Sequence, residues 1–173
     1  MVPPRLFHVS DDAAIKGFQP RPSSVFPKLG NVVWAVDEAH LPDYLLPREC
    51  PRVTFCAAPE TTLGDCQRFK LNAEQRVVVV GQRWLEKIRE AVVYLYELPE
   101  ASFVLHDASA GYWLSRDQIH PLSVCAVSDL EDEISRRGAD FRIVENLRSF
   151  GDEVAASTLD FSIIRMRNAI RGS

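Results

Sequence analysis

Short apolar runs bounded by turn residues recur along the chain and predict β-strands. They cover residues 5–9, 32–36, 52–56, 77–80, 91–97, 103–105, 112–114, 122–127 and 141–144. Helical patterns occupy residues 82–90, 129–137 and 152–170, and the last carries a stripe of Leu159, Ile163, Met166 and Ile170. Because strands and helices do not alternate regularly, the pattern predicts an α+β fold with a mixed, split sheet and a C-terminal helix.

Two polar residues are expected to begin further helices. Ser10, followed by acids, resembles a helix N-cap and is expected to open a short turn that ends at Ile15. Asp37 is expected to cap a helix that ends near Pro47. Residues 19–30, rich in proline, form a loop of a length that often carries function.

Length and charge narrow the class of protein. The chain has 173 residues, which suits one domain over 1–173, and a net charge of −4. An acidic balance argues against non-specific nucleic-acid binding. We expect no membrane association, because no apolar run approaches the roughly 20 residues that span a bilayer. Nothing in the pattern sets an oligomeric state.

Cysteine usage and the N-terminus predict a cytoplasmic location. The four cysteines are Cys50, Cys56, Cys66 and Cys125, and none forms a Cys-x-x-Cys pair. This spacing predicts neither structural zinc nor a disulfide. The first residues lack the charged and apolar regions of a signal peptide, so we expect reduced thiols in the cytoplasm.

Polar side chains that can bind an anion or move a proton cluster between residues 6 and 52. They are His8, Ser10, Arg21, Asp37, His40, Tyr44, Arg48 and Arg52. His8 and Ser10 share one face of the first strand, where His8 can donate to a ligand hydroxyl or act as a general base. A satisfied structural histidine is the equal alternative.

Three arginines are candidates for a phosphate or carboxylate site. Arg21, Arg48 and Arg52 can each form forked hydrogen bonds to such a group, although each is as readily a solvated surface residue. Arg48 and Arg52 flank Cys50, for which a packed thiol is favoured over a nucleophile. We expect His8, Ser10 and at least one of the three arginines to line one pocket.

Aromatic residues can supply a wall for a planar ring. Trp34 lies in the second predicted strand, Tyr44 follows it, and Tyr112 follows Gly111. Tyr112 can stack on a base or ring, or it can belong to a strand at a bulge. Arg165, Arg167 and Asn168 near the C-terminus are expected to lie on a solvated helix face. No histidine spacing fits a metal-binding helix motif, so no metal site is expected.

Six motifs together resemble a bacterial single-domain family of unknown function whose members begin Leu-Tyr/Phe-His-Phe-Ser. In this chain they read Leu-Phe-His-Val-Ser, Phe-x-Pro-Arg, Val-Trp-Ala-Val-Asp-Glu-x-His, Pro-Arg-x-Cys-Pro-Arg, Gly-Tyr-Trp-Leu-Ser and a final Ile-Arg-x-x-Asn-Ala. The resemblance covers nearly the whole chain. It implies no activity, because none is assigned to the family.

A second resemblance is to the ADP-ribosyltransferase fold, which includes the RNA 2′-phosphotransferases. It rests on the first-strand His-x-Ser, the Phe-x-Pro turn and the late Ile-His-Pro turn. It implies NAD as a cofactor, His8 as its ribose contact, and Trp34 or Tyr44 as the ring that stacks on nicotinamide. The family's catalytic glutamate is not found. Its place holds Gly111, and Asp107 is the nearest acid.

The leading hypothesis is therefore a domain that binds a nucleotide or another phosphate-bearing small molecule. Its catalytic candidates are His8 and Asp107. The predicted ligand-binding residues are Ser10, Arg21, Trp34, Tyr44, Arg48, Arg52 and Tyr112. The alternative is a non-catalytic protein-interaction or ligand-sensing domain. A transferase needs a carboxylate beside the oxocarbenium-like centre, and this requirement separates the two hypotheses.

Overall fold

Short strands form most of the regular structure in the computed structural model, which describes residues 4–24, 26–72 and 75–169. The strands are β1 (Leu6–Ser10), β2 (Arg21–Pro22), β3 (Asn31–Asp37), β4 (Arg52–Cys56), β5 (Val77–Gly81), β6 (Val93–Leu98), β7 (Val104–Asp107), β8 (Tyr112–Ser115), β9 (Ser123–Val127), β10 (Asp140–Val144) and β11 (Asp160–Ile164). The α-helices are α1 (Leu63–Arg68), α2 (Leu85–Glu90), α3 (Leu130–Arg136) and α4 (Leu147–Ala155). The predicted α+β class is confirmed.

The chain divides into two units, and each is assembled from two stretches of sequence. Unit 1 comprises Met1–Tyr44 and Val92–Val127, and unit 2 comprises Leu45–Ala91 and Ser128–Ser173. Within the described residues, all four α-helices belong to unit 2. That residues 1–173 behave as one domain stays a prediction.

Unit 1 is built on a seven-stranded antiparallel sheet with the order β7-β8-β3-β1-β6-β9, and β2 pairs with β3. Because side chains alternate along a strand, the sheet has two distinct faces. One carries the hydrophobic core of the unit, which includes Leu6, Val33, Ala35 and Tyr96. We call it the core face, and we call the opposite one the Trp34 face.

Unit 2 is built on a four-stranded mixed sheet with the order β10-β5-β4-β11. Only β10 and β5 are parallel; β4 and β11 join as antiparallel strands. The near-continuous valine run of β5 is fully buried, as expected of a central strand. Helix α4 packs on this sheet through Leu147 and Val154, which join Val53 and Phe55 in the core of the unit.

The predicted C-terminal helix over 152–170 is wrong. Helix α4 ends at Ala155, and the chain then forms β11 and a short 3-10 helix, Met166–Asn168. Leu159 and Ile163 are four residues apart, a spacing that fits both a helical stripe and one face of a strand. Pairing decides the outcome, because Ile163 lies opposite Val53 on β4. The predicted Ile170 of this stripe lies outside the described residues.

Neither of the two polar residues predicted as caps begins an α-helix. Ser10 Oγ accepts a hydrogen bond from the amide of Asp12 at 3.1 Å, which makes a local turn instead of a helix. After Asp37, only a 3-10 helix forms, at Leu41–Tyr44. Pro42 lies inside this stretch and supplies no amide for a longer helical ladder.

Candidate functional site

Five aromatic rings of unit 1 form a contiguous group, which we call the aromatic cluster: Phe26, Trp34, Tyr44, His106 and Tyr112. The Trp34 ring lies 5.2 Å from Tyr112, 5.7 Å from Phe26 and 5.9 Å from His106, between centroids. The Tyr44 and Tyr112 centroids are 5.5 Å apart. Phe26 is 44% exposed, so the cluster reaches the surface. Rings at these distances can accept a further planar group by stacking.

Sheet register and a tight turn position the cluster. Trp34 pairs with Leu114 and Val36 with Tyr112, so the Trp34 and Tyr112 side chains lie on one face. The turn before β8 is shaped by Asp107, whose Oδ1 accepts from the amides of Ser109 at 2.9 Å and Ala110 at 3.1 Å. Asp107, a predicted catalytic acid, therefore has a structural task in this turn.

Tyr44, which follows β3 in the chain, also binds the turn before β8. Its hydroxyl donates to the Ala110 carbonyl at 2.9 Å. Gly111, which follows, has φ +65°, a conformation that glycine adopts without strain. These contacts hold the turn that leads into Tyr112, whose ring lies beside that of Trp34.

Arg21 places a cation beside the cluster. It pairs with Val32 across β2 and β3, so its side chain lies on the Trp34 face. Trp34, two residues after Val32 on β3, is a diagonal neighbour of Arg21. Diagonal neighbours are about 7–8 Å apart, a distance that an arginine side chain can reach. Arg21 is exposed, and it forms no ion pair with another residue that the structure describes. A planar ring and an anion can therefore be bound side by side here.

His8 and Ser10 lie on the core face, opposite Trp34 and Tyr112. His8 pairs with the core residue Tyr96, and its ring centroid is 4.7 Å from that of Phe18. The ladder between β1 and β3 ends at Phe7, and beyond it His8 Nδ1 lies 3.1 Å from the Trp34 carbonyl oxygen. The structure thus does not bring the His8 ring together with the aromatic cluster or with Arg21.

Arg48, Arg52 and Cys50 belong to unit 2. Arg52 is 3% exposed, and its Nε and Nη2 donate to the carbonyls of Cys50 at 3.1 Å and Pro47 at 2.9 Å. Arg52 therefore binds the loop that precedes its own strand. Burial raises the pKa of the Cys50 thiol to about 11, against a smaller lowering by Arg52. Cys50 is thus a packed thiol, as expected, while Arg48 is exposed.

The C-terminal polar residues bind Glu49 and do not form a helix face. Asn168 Nδ2 donates to the Glu49 carbonyl at 2.7 Å and to its Oε2 at 2.9 Å. Arg167 Nη2 lies 3.0 Å from the same Oε2, and Arg165 Nε lies 3.9 Å from Oε1. These contacts tie the end of the chain to the loop before β4.

An Asp–His pair in unit 1 has a geometry that the sequence did not predict. His40 Nδ1 lies 2.7 Å from Asp37 Oδ1, and Trp113 Nε1 donates to Asp37 Oδ2 at 3.3 Å. Burial opposes ionisation of Asp37, but the hydrogen bonds from His40 and Trp113 outweigh it and lower the pKa of Asp37. Only the spacing of Asp37 and His40 after a strand hinted at this pair, and it was interpreted as a helix cap.

Neither a cluster of metal ligands nor a membrane-spanning helix occurs among the described residues. Residues 4–24, 26–72 and 75–169 contain no group of three or more His, Cys, Asp or Glu side chains that can hold a metal ion. They also contain no helix long and apolar enough to cross a bilayer. None of the four cysteines forms a disulfide with another residue that the structure describes, and Cys125 is exposed.

Comparison with known proteins gives a family and no activity. Residues 7–169 match the family described as "Family of unknown function (DUF6886)". No curated protein and no solved structure matches the chain. The resemblance to a family of unknown function is therefore confirmed, and functional inference depends on the side chains described above.

Proposed function

We propose that this chain, which belongs to the Family of unknown function (DUF6886), binds a small molecule that combines a planar ring with a phosphate, such as a nucleotide. The observation that carries the proposal is the aromatic cluster with Arg21 on the same face of the sheet. The ring of the ligand stacks on the cluster, and its phosphate binds the guanidinium.

The energetics suit such a ligand. Stacking of a base on an aromatic side chain contributes about 1–3 kcal/mol. A guanidinium can donate two parallel hydrogen bonds to one phosphate, and such charge-assisted bonds are the strong ones. Neither interaction needs His8, so the proposal differs from the sequence hypothesis in the face of the sheet that it uses.

An ADP-ribosyltransferase-like form of the proposal has NAD as the ligand. Trp34 would then stack on nicotinamide, as the resemblance implies. His8 would act indirectly, because its Nδ1 lies 3.1 Å from the Trp34 carbonyl and so supports the strand that carries the ring. NAD therefore belongs in any ligand panel beside simpler nucleotides.

A protein-interaction or ligand-sensing domain is the second candidate, favoured by the exposed apolar residues at both edges of the unit 1 sheet. In β7, Val104 is 70% exposed, and in β9, Val124 is 48% exposed. Uncovered edge strands can pair with a strand of another chain. This candidate function needs no small molecule, so a nucleotide-binding assay distinguishes it from the first.

The test is thermal unfolding and calorimetry with AMP, ADP, NAD and inorganic phosphate. A ligand at 100 times its Kd should raise the free energy of unfolding by about 2.7 kcal/mol. We expect Trp34→Leu and Arg21→Met to lose that gain, whereas His8→Ala keeps it. Trp84→Leu is the matched control, because Trp84 is a half-buried tryptophan of unit 2.

Two outcomes would count against the proposal. If no nucleotide at millimolar concentration stabilises the wild type, the interaction domain is the better account. If a nucleotide binds equally to wild type and Trp34→Leu, its site lies away from the aromatic cluster.

A further inference from the structure

We propose that Arg116 is a second phosphate-binding residue of the site and that the ligand is a nucleoside diphosphate. The inference rests on the proposed function, which supplies the ring and the first phosphate. It adds a specificity, because the second phosphate of the ligand binds Arg116. The observation that carries it is the position of Arg116 and Arg21 on the two sides of the same end of β3.

Strand register brings Arg116 to the Trp34 face. Trp34 on β3 lies opposite Leu114 on β8. Arg116, the first residue after β8, follows Leu114 by two residues, so the alternation of side chains puts both on one face. Arg116 thereby stands beside Val32, the residue with which Arg21 pairs from the other side. The Cα atoms of the two arginines are about 10 Å apart, because neighbouring strands are separated by about 4.8 Å.

A backbone bridge holds both arginines at this end of the sheet. Phe18 and Ile119 form an isolated antiparallel pair, with two hydrogen bonds of 2.7 and 3.0 Å between their backbone groups. Arg21 follows Phe18 by three residues, and Arg116 precedes Ile119 by three. Three residues span at most about 10 Å, so the bridge limits how far either arginine lies from it. Ile119 belongs to the core of unit 1, which fixes the bridge itself.

The guanidinium of Arg116 lies beside Gly30, the residue before β3. Its Nη1 is 3.5 Å from the position that a methyl carbon would take on Gly30, which is an ordinary contact distance. Gly30 is four residues before Trp34, or at most about 13 Å along an extended chain, and Val32 is half as far. The Trp34 ring, Arg21 and the Arg116 guanidinium therefore follow one another along the start of β3. This is the order of ring, first phosphate and second phosphate in a nucleoside diphosphate.

Both guanidinium groups are accessible to a ligand. Arg21 and Arg116 are exposed, and within residues 4–24, 26–72 and 75–169 neither forms an ion pair or a side-chain hydrogen bond. Arg5 of the same unit differs, because it forms ion pairs with Glu38 and Glu97. One guanidinium can donate two parallel hydrogen bonds to a single phosphate. A second phosphate therefore gives the second arginine a partner of its own.

The test is calorimetry with adenosine, AMP and ADP in buffer without divalent cations, so that no metal ion covers the phosphates. Wild type should bind ADP at least about 10-fold more tightly than AMP, because hydrogen bonds to charged groups contribute enough free energy for that ratio. Arg116→Met should bind AMP as wild type does and ADP no more tightly than AMP. Arg21→Met should weaken binding of both nucleotides. Arg83→Met is the matched control and should keep the wild-type ratio, because Arg83 is an exposed arginine of unit 2.

Nitrogen-15 NMR of the arginine Nε–H groups gives a second measurement in the same titrations. The Arg116 signal should shift with ADP and stay in place with AMP, whereas the Arg21 signal should shift with both.

The outcomes separate this inference from the proposed function. Equal Kd values of AMP and ADP for wild type would overturn the inference alone. So would a preference for ADP that persists in folded Arg116→Met, or one that Arg83→Met abolishes as well. A wild type that binds neither nucleotide would remove the proposed function and this inference together.

Discussion

Arg21 of unit 1 and Arg52 of unit 2 have different surroundings, although each was an equal candidate for an anion site. Arg21 is exposed on the Trp34 face beside aromatic rings. Arg52 is buried, and carbonyl groups of its own loop take up two of its nitrogens. The same residue type therefore binds its own loop in unit 2 and is exposed to solvent in unit 1.

Other polar groups of the two units follow this difference. In unit 2, Glu49 is bound by Asn168 and by two arginines of the C-terminal segment. In unit 1, Asp37 holds one nitrogen of His40 and leaves the second without a hydrogen bond to any described residue. Polar residues that are close in sequence are therefore available to a ligand only where their side chains do not already bind other groups of the protein.

The largest difference in stability should be seen between two variants in which Arg52 or Arg21 is replaced by methionine. Arg52→Met removes the two hydrogen bonds from a buried side chain that hold the loop before β4, so we expect it to lower the free energy of unfolding by about 2–4 kcal/mol. Arg21→Met should change stability by less than about 0.5 kcal/mol and should weaken nucleotide binding. Urea unfolding and calorimetry measure both quantities. Equal destabilisation by the two variants would erase the distinction between the units.

A pair of glycines tests how tightly the unit 1 turn is packed. Gly111 (φ +65°) touches His40, whereas Gly138 of unit 2 (φ +86°) has no atom within 4 Å of a substituted methyl. Alanine in the left-handed conformation costs about 1–2 kcal/mol at either site. Gly111→Ala should cost more than Gly138→Ala, because His40 must also move. Similar unfolding free energies for the two variants would show that the His40 contact is loose.

The smallest effect should come from Glu49→Gln in unit 2, because all its partners are near the surface and solvent screens such pairs. The hydrogen bond from Asn168, and then Arg165 and Arg167, lower the pKa of Glu49. A lowered pKa means that the ionised group stabilises the fold above the ordinary glutamate pKa of about 4.3. The difference from wild type should therefore shrink as the pH falls below that value and vanish only below the lowered pKa of folded Glu49. A difference that persists at lower pH would point to packing instead of charge.

The sequence predicted the strands well, because their signal is local. Runs such as Val77–Val80 are apolar on both faces, and β5 is buried as expected. The C-terminal helix failed because Leu159 and Ile163 fit two periods, and only pairing with β4 decides between them. Long-range pairing of this kind is absent from a single sequence.

Prediction of the candidate site was also limited because a single sequence does not show which strands pair. Trp34 and Tyr112 were both predicted to line a ligand cleft, and the structure puts their ring centroids 5.2 Å apart. His8 was assigned to their side, but the strand register puts it on the core face. Asp37 and His40 were recognised as polar candidates, yet their bond to each other and to Trp113 depends on β3 pairing with β8.

The most direct test of a ligand site in unit 1 is an NMR titration of the tryptophan indoles with AMP. The chain has three tryptophans, and Trp34 and Trp113 belong to unit 1 while Trp84 belongs to unit 2. We predict that the Nε1 resonance of Trp34 shifts most, that Trp113 shifts less, and that Trp84 stays unchanged. A shift confined to Trp84, or no indole shift at millimolar AMP, would contradict the assignment of ligand binding to the aromatic cluster.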